Sequence, residues 1–146
     1  MVPAMVLVVV FTALRSAGFL GLAALDNFEM PLRGALFAMF FLTASAHWGR
    51  GRADLIRMVP PMFPSPARLV DITGVLEILG AAGLLIPATA RTAAICLALL
   101  LVALFPANMR AAREHYTIMG RPAMSIPARG ALQLLFIGAL VGVAVT

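Results

Sequence analysis

Residues 69–87 read LVDITGVLEILGAAGLLIP, an apolar run with Asp71 at its start and Glu77 inside it. Its length matches the ~20 residues an α-helix needs to cross the hydrocarbon of a bilayer. A carboxylate within such a run is costly unless it finds a partner or serves a purpose, so Glu77 marks a candidate site. Gly74, Gly80 and Gly83 recur at helical spacing beside it. Small residues at this spacing let a second backbone approach, which is how helices gain contact where lipid removes the hydrophobic drive.

Further apolar segments lie on either side. Ala88 to Arg91 leaves room only for an antiparallel hairpin into Thr92–Asn108, which carries no charge. Gly130–Val145 is likewise uncharged, and Gly34–Trp48 is uncharged but short. Val2–Leu25 is broken only by Arg15 and Ser16. It reads as an additional first helix; a signal peptide or a misplaced start are the alternatives, and no positive charge precedes Arg15. Two units follow, an N-terminal apolar segment over residues 1–32 and a four-helix membrane domain over 33–146.

Composition agrees with lipid as the solvent. The 146 residues are 62% hydrophobic and 12% charged, against about 45–50% and about 25% in an average globular domain. A soluble chain of this size lacks the polar groups to cover its surface. A cytosolic enzyme, a disulfide scaffold and a disordered tail are excluded. Backbone groups in lipid must be satisfied internally, and the alternation a β-barrel needs is missing. The expected fold is all-α, a polytopic transmembrane bundle.

The net charge of +5 comes from eleven arginines, no lysine and six acids. Arg50, Arg52, Arg57 and Arg68 fall in one long connection, and Arg110, Arg113, Arg121 and Arg129 in another. Counting crossings puts both on one face, with Arg33 and Arg91 on the other. The positive-inside rule makes the arginine-rich face cytoplasmic. Orientation accounts for the charge, and nucleic acid is not an expected partner. In the first connection Ala53–Met58 reads as a short amphipathic turn. The stretch 59–66, VPPMFPSP, reads as an extended strap at the interface, since its prolines cannot continue a helix.

Two polar groupings follow from helix direction. Glu77 lies about 12 Å and Arg15 about 16 Å from the same face, so an Arg15–Glu77 pair is expected. Its role is open between tethering helices and handling a proton or ligand. His47, Asp71 and Asn108 end or begin helices in one leaflet, with Asp71 placed to orient the imidazole. They form either a shared polar site or separate caps. Trp48 reads as an interfacial anchor and His115 as solvated. The glycines read first as a packing groove, which could also admit a ligand or a partner helix. The chain has one cysteine, Cys96, and two histidines without ligand spacing. Thiol–disulfide exchange, haem ligation and a metal site are not expected.

The His47-Trp48 helix end, the 59–66 strap, GVLEILG at 74–80 with GLLIP at 83–87, Arg91, FPAN at 105–108, and the Pro127-Ala-Arg129…Gln133 helix together resemble the DoxX-like membrane proteins. The likeness runs from about Arg33 to the C-terminus, and the family's motif positions fall on His47, Pro60, Pro61, Gly74, Glu77, Gly80, Pro87 and Asn108. The segment holding Arg15 departs from the family's four-helix pattern. The resemblance implies a four-helix membrane bundle and a link to thiosulfate and quinone oxidoreduction beside a redox enzyme. An accessory subunit of a quinone-linked assembly is the leading expectation, with the quinone beside Glu77 and His47. A non-catalytic assembly factor or chaperone is the alternative, and a small-solute carrier a weaker one. No intrinsic cofactor is expected; enzymatic activity and oligomeric state stay open.

Overall fold

The computed structural model describes residues 2–118 and 120–146. In order come α1 (Val2–Phe19), a 3-10 turn (Ala23–Leu25), α2 (Glu29–Ser45), α3 (Arg52–Met58), α4 (Pro66–Leu85), α5 (Pro87–Arg113), a two-stranded antiparallel ribbon of β1 (Thr117–Ile118) and β2 (Arg121–Pro122), and α6 (Ile126–Val145). Neither the ribbon nor the 3-10 turn was expected from the sequence.

Helix ends follow local chemistry. α1 stops at Phe19, short of the expected Leu25, because Gly21 takes φ 109°, a left-handed conformation that glycine adopts without steric cost. Prolines open α4, α5 and α6 in their first turns, where a missing N–H is no loss. The link between α4 and α5 is the single extended residue Ile86, tighter than the four-residue link expected. The Thr89 hydroxyl closes this turn by donating to the Gly83 carbonyl at 2.9 Å. α5 runs through Pro106 to Arg113, past the expected end at Asn108. Pro106 removes one backbone hydrogen bond from the ladder without ending the helix. α3 forms where an amphipathic turn was expected. Residues 59–65 stay non-helical, as the proline spacing requires, but fold into a turn closed by the Phe63 N–H donating to the Pro60 carbonyl at 3.2 Å instead of the expected extended strap.

α2 packs against α1, α4 and α6, α4 against α5, and α5 against α6. Thus α2, α4, α5 and α6 enclose a core, and α1 lies on the outer side of α2. The core combines Leu36, Met39 and Phe40 of α2 with Leu84 of α4, Leu97 of α5 and Leu140 and Val143 of α6. Close approach is built into the seams. A Cβ on Gly80 would stand 2.6 Å from Leu97, and one on Gly83 would stand 2.9 Å from Ala93.

The outer surface is apolar: Val8, Phe19, Leu79, Leu99, Leu134 and Val145 are all exposed. An apolar exterior of this extent needs a non-aqueous covering. α1, α5 and α6 are long and apolar enough to cross a membrane. α2 is shorter, at 17 residues, and α4 carries Arg68, Asp71 and Glu77. Most of the guanidinium groups gather at the end formed by α3, the starts of α4 and α6 and the end of α5.

Candidate functional site

At the seam of α2 and α4 a polar chain runs through otherwise apolar packing. Thr43, in the last turn of α2, and His47, in the turn just beyond its end, both look at α4. There Val70 and Glu77 meet them, two turns apart. His47 and Glu77 are each 5% exposed. The imidazole Nδ1 stands 2.6 Å from the Val70 carbonyl, and Nε2 stands 3.6 Å from Oε1 of Glu77. The Thr43 hydroxyl lies 2.8 Å from the other carboxyl oxygen, Oε2, and 3.0 Å from the Phe40 carbonyl.

Donor accounting fixes much of the chemistry. A carbonyl oxygen only accepts, so Nδ1 carries a hydrogen and donates it to Val70. That leaves Nε2 facing the carboxyl group. With one proton between them, the pair is either imidazolium with carboxylate or imidazole with carboxylic acid. Both arrangements sum to zero charge, which keeps the cost of burial down. Thr43 can turn its single hydrogen toward Glu77 or toward Phe40.

Gly74 makes this placement possible. A Cβ there would lie 2.7 Å from the His47 ring and 2.8 Å from Trp48. Beneath the ring, Arg52 grips Asp71 through both guanidinium nitrogens, one at 3.1 Å, and donates to the His47 carbonyl at 2.9 Å. Asp71 thus holds the chain around His47, while the ring itself is oriented by Val70, not by Asp71 as the sequence suggested.

Other expected site residues lie elsewhere. Arg15 does not pair with Glu77. It donates to the Leu25 carbonyl at 3.1 Å, sits 3.6 Å from Asp26 and covers the Phe19 ring at 4.3 Å. Arg15 lies four residues before the end of α1, and its long side chain reaches past that end to the 3-10 turn. Asn108 accepts from Arg129 at 2.8 Å, tying α5 to α6, and takes no part in a His47–Asp71 grouping. Gly74, Gly80 and Gly83 do form a close-packing groove, but His47, Trp48 and α5 fill it from within the chain. His115 is exposed with φ 51°. Among the described residues no cluster of three or more His, Cys, Asp or Glu could hold a metal ion.

Sequence reasoning missed Thr43, although its spacing of four from His47 was the available signal. It also missed a tie at the arginine-rich end. Arg110 donates to the Val59 and Arg57 carbonyls and to Glu114 at 2.9 Å, while Arg57 covers the Tyr116 ring at 4.5 Å. Arg110 and Tyr116 beside Glu114 hold its carboxyl below the usual value. No motif announces this contact across more than fifty residues.

Fold and site together define an all-α bundle with three membrane-length apolar helices and a buried histidine–carboxylate pair at one seam. The chain belongs to the family described as Domain of unknown function (DUF8561), whose model matches residues 36–144. That match covers the His47–Glu77 seam and leaves out α1 with Arg15. No curated protein and no solved structure matches the chain.

Proposed function

We propose that the protein is a multi-pass, DoxX-like subunit of the bacterial inner membrane that accompanies a quinone-linked redox enzyme, with its arginine-rich end in the cytoplasm. The observation that carries this reading is the His47–Glu77 pair, a histidine and a carboxyl 3.6 Å apart and buried between two helices. A quinone, when bound, would supply a couple that takes up two electrons and two protons. The donor set here fits such a carrier: a histidine, a carboxyl and a hydroxyl in an apolar seam. His47 and Glu77 would hold or release the proton, Thr43 would orient the carboxyl, and Arg52 with Asp71 would fix the His47 backbone. Electrons would come from the partner enzyme.

The assembly-factor reading relied on a glycine groove open to partner helices. That groove is occupied by the chain's own residues, so a partner helix would have to dock on another face. The test is titration of the detergent-purified protein with quinone analogues. Saturable binding that is lost in a Glu77→Gln, His47→Ala double variant is expected; equal binding by the double variant counts against the site.

A further inference from the structure

α5 carries two hollows on one face. One, of about 460 Å³, lies at its C-terminal end, lined by Phe105, Pro106, Met109, Arg110, Arg113 and Glu114. The other, of about 290 Å³, is wholly apolar and lies where α5 meets α6, with Ala98, Val102 and Leu140 in its wall. On α5, positions 95, 98, 102, 105, 109 and 113 recur at three- and four-residue steps, so both hollows belong to a single stripe.

The first hollow is apolar toward the middle of the bundle and cationic at its rim. Glu114 also lines it, but Arg110 and Tyr116 engage that carboxylate. Arg113 is exposed and enters no ion pair among the described residues. The rim therefore presents a net positive charge. Eleven residues separate Arg113 from Val102, about 16 Å along the helix. That is close to half of the ~30 Å hydrocarbon thickness, or one leaflet.

From these dimensions we infer that the stripe on α5 is the seat of an anionic phospholipid, its phosphate at Arg113 and its acyl chain running past Met109 and Phe105 toward Val102. Charge complementarity selects the headgroup, and the depth of the apolar stripe selects a lipid over a soluble phosphate. Its location on α5 sets it apart from the α2–α4 seam, so it stands without the quinone reading.

The experiment is native mass spectrometry of the full chain, equilibrated in detergent with equal amounts of phosphatidylglycerol and phosphatidylcholine. Retained phosphatidylglycerol is expected to exceed phosphatidylcholine. Arg113→Gln is expected to reduce that preference about fivefold, the ratio equivalent to about 1 kcal/mol for one arginine near a charged surface. Arg113→Lys is expected to keep most of it, and Arg91→Gln at the opposite end to leave it unchanged. Val102→Trp, which fills the apolar hollow, is expected to lower retention of both lipids. Excess inorganic phosphate is expected not to compete. An unchanged preference in Arg113→Gln, an equal loss in Arg91→Gln, unaltered retention in Val102→Trp, or displacement by phosphate each overturns the proposal.

Discussion

Nε2 of His47 stands 3.6 Å from Oε1 of Glu77, joining two helices at a point where neither side chain meets solvent. The separation exceeds that of a tight hydrogen bond, so the contact is a charge-compensating one that a small shift can tighten. Its partners on either side, Val70 and Thr43, hold the two groups facing each other.

Removing either member strands the other. His47→Ala or Glu77→Gln is expected to destabilise the bundle by about 1–3 kcal/mol, the usual cost of a buried polar group left without its partner. The double variant is expected to cost less than the sum, with a coupling of about 0.5–3 kcal/mol. Chemical unfolding in mild detergent followed by circular dichroism measures all three. Additive losses would show that the residues do not interact.

Gly74→Ala places a methyl group 2.7 Å from the His47 ring, with the His47 Cβ and the Trp48 indole each at 2.8 Å. A loss of about 1–3 kcal/mol is expected from overpacking. Gly80→Leu, which meets Leu97, is expected to disturb the fold itself. Gly138 has nothing within 4 Å of a built Cβ, so Gly138→Ala is expected to be neutral or to stabilise by up to about 1 kcal/mol. Equal effects at 74 and 138 would contradict the seam geometry.

Arg15→Gln is expected to leave the His47–Glu77 coupling unchanged. Its own contribution is small, since Asp26 is 65% exposed, and exposed pairs are worth about 0–1 kcal/mol. A change in the coupling on removing Arg15 would revive a direct link to the seam.

The tie at the arginine-rich end depends on pH in a defined direction. Arg110 first, then Tyr116, lowers the Glu114 value from its ordinary 4.5. Its contribution is therefore complete above the unfolded-state value and is lost as pH falls through the lowered folded one. The hydrogen bond to Glu114 raises the Tyr116 value from its ordinary 10.0. That contribution is present below 10.0 and is lost as pH rises through the raised value. Amide protection factors at residues 114–118, referred to the intrinsic exchange rate at each pH, are expected to be highest between these limits. In Glu114→Gln the acid-side dependence disappears; its persistence would contradict the assignment.

The helical class and the apolar segments were legible because a carboxylate in an apolar run, proline punctuation and scarce charge are local signals. Glu77, His47 and Gly74 were legible for the same reason. Their partners were less so. Arg15 was assigned to Glu77 by depth alone, and depth along a helix does not say which neighbour a side chain meets: Arg15 finds Leu25 and Asp26 instead. Asn108 was placed at a helix end that α5 passes. Val70 contributes a backbone carbonyl, which no side-chain pattern reveals, and Arg110 reaches across the fold to Val59. Thr43 could have been found from its spacing to His47.

The most direct test is infrared difference spectroscopy of Glu77, resolved by comparing the wild type with Glu77→Gln, on adding a quinone analogue. A carboxyl-stretch change that is absent in Glu77→Gln and altered in His47→Ala is the predicted result. A spectrum in which the analogue leaves that carboxyl untouched would contradict the account.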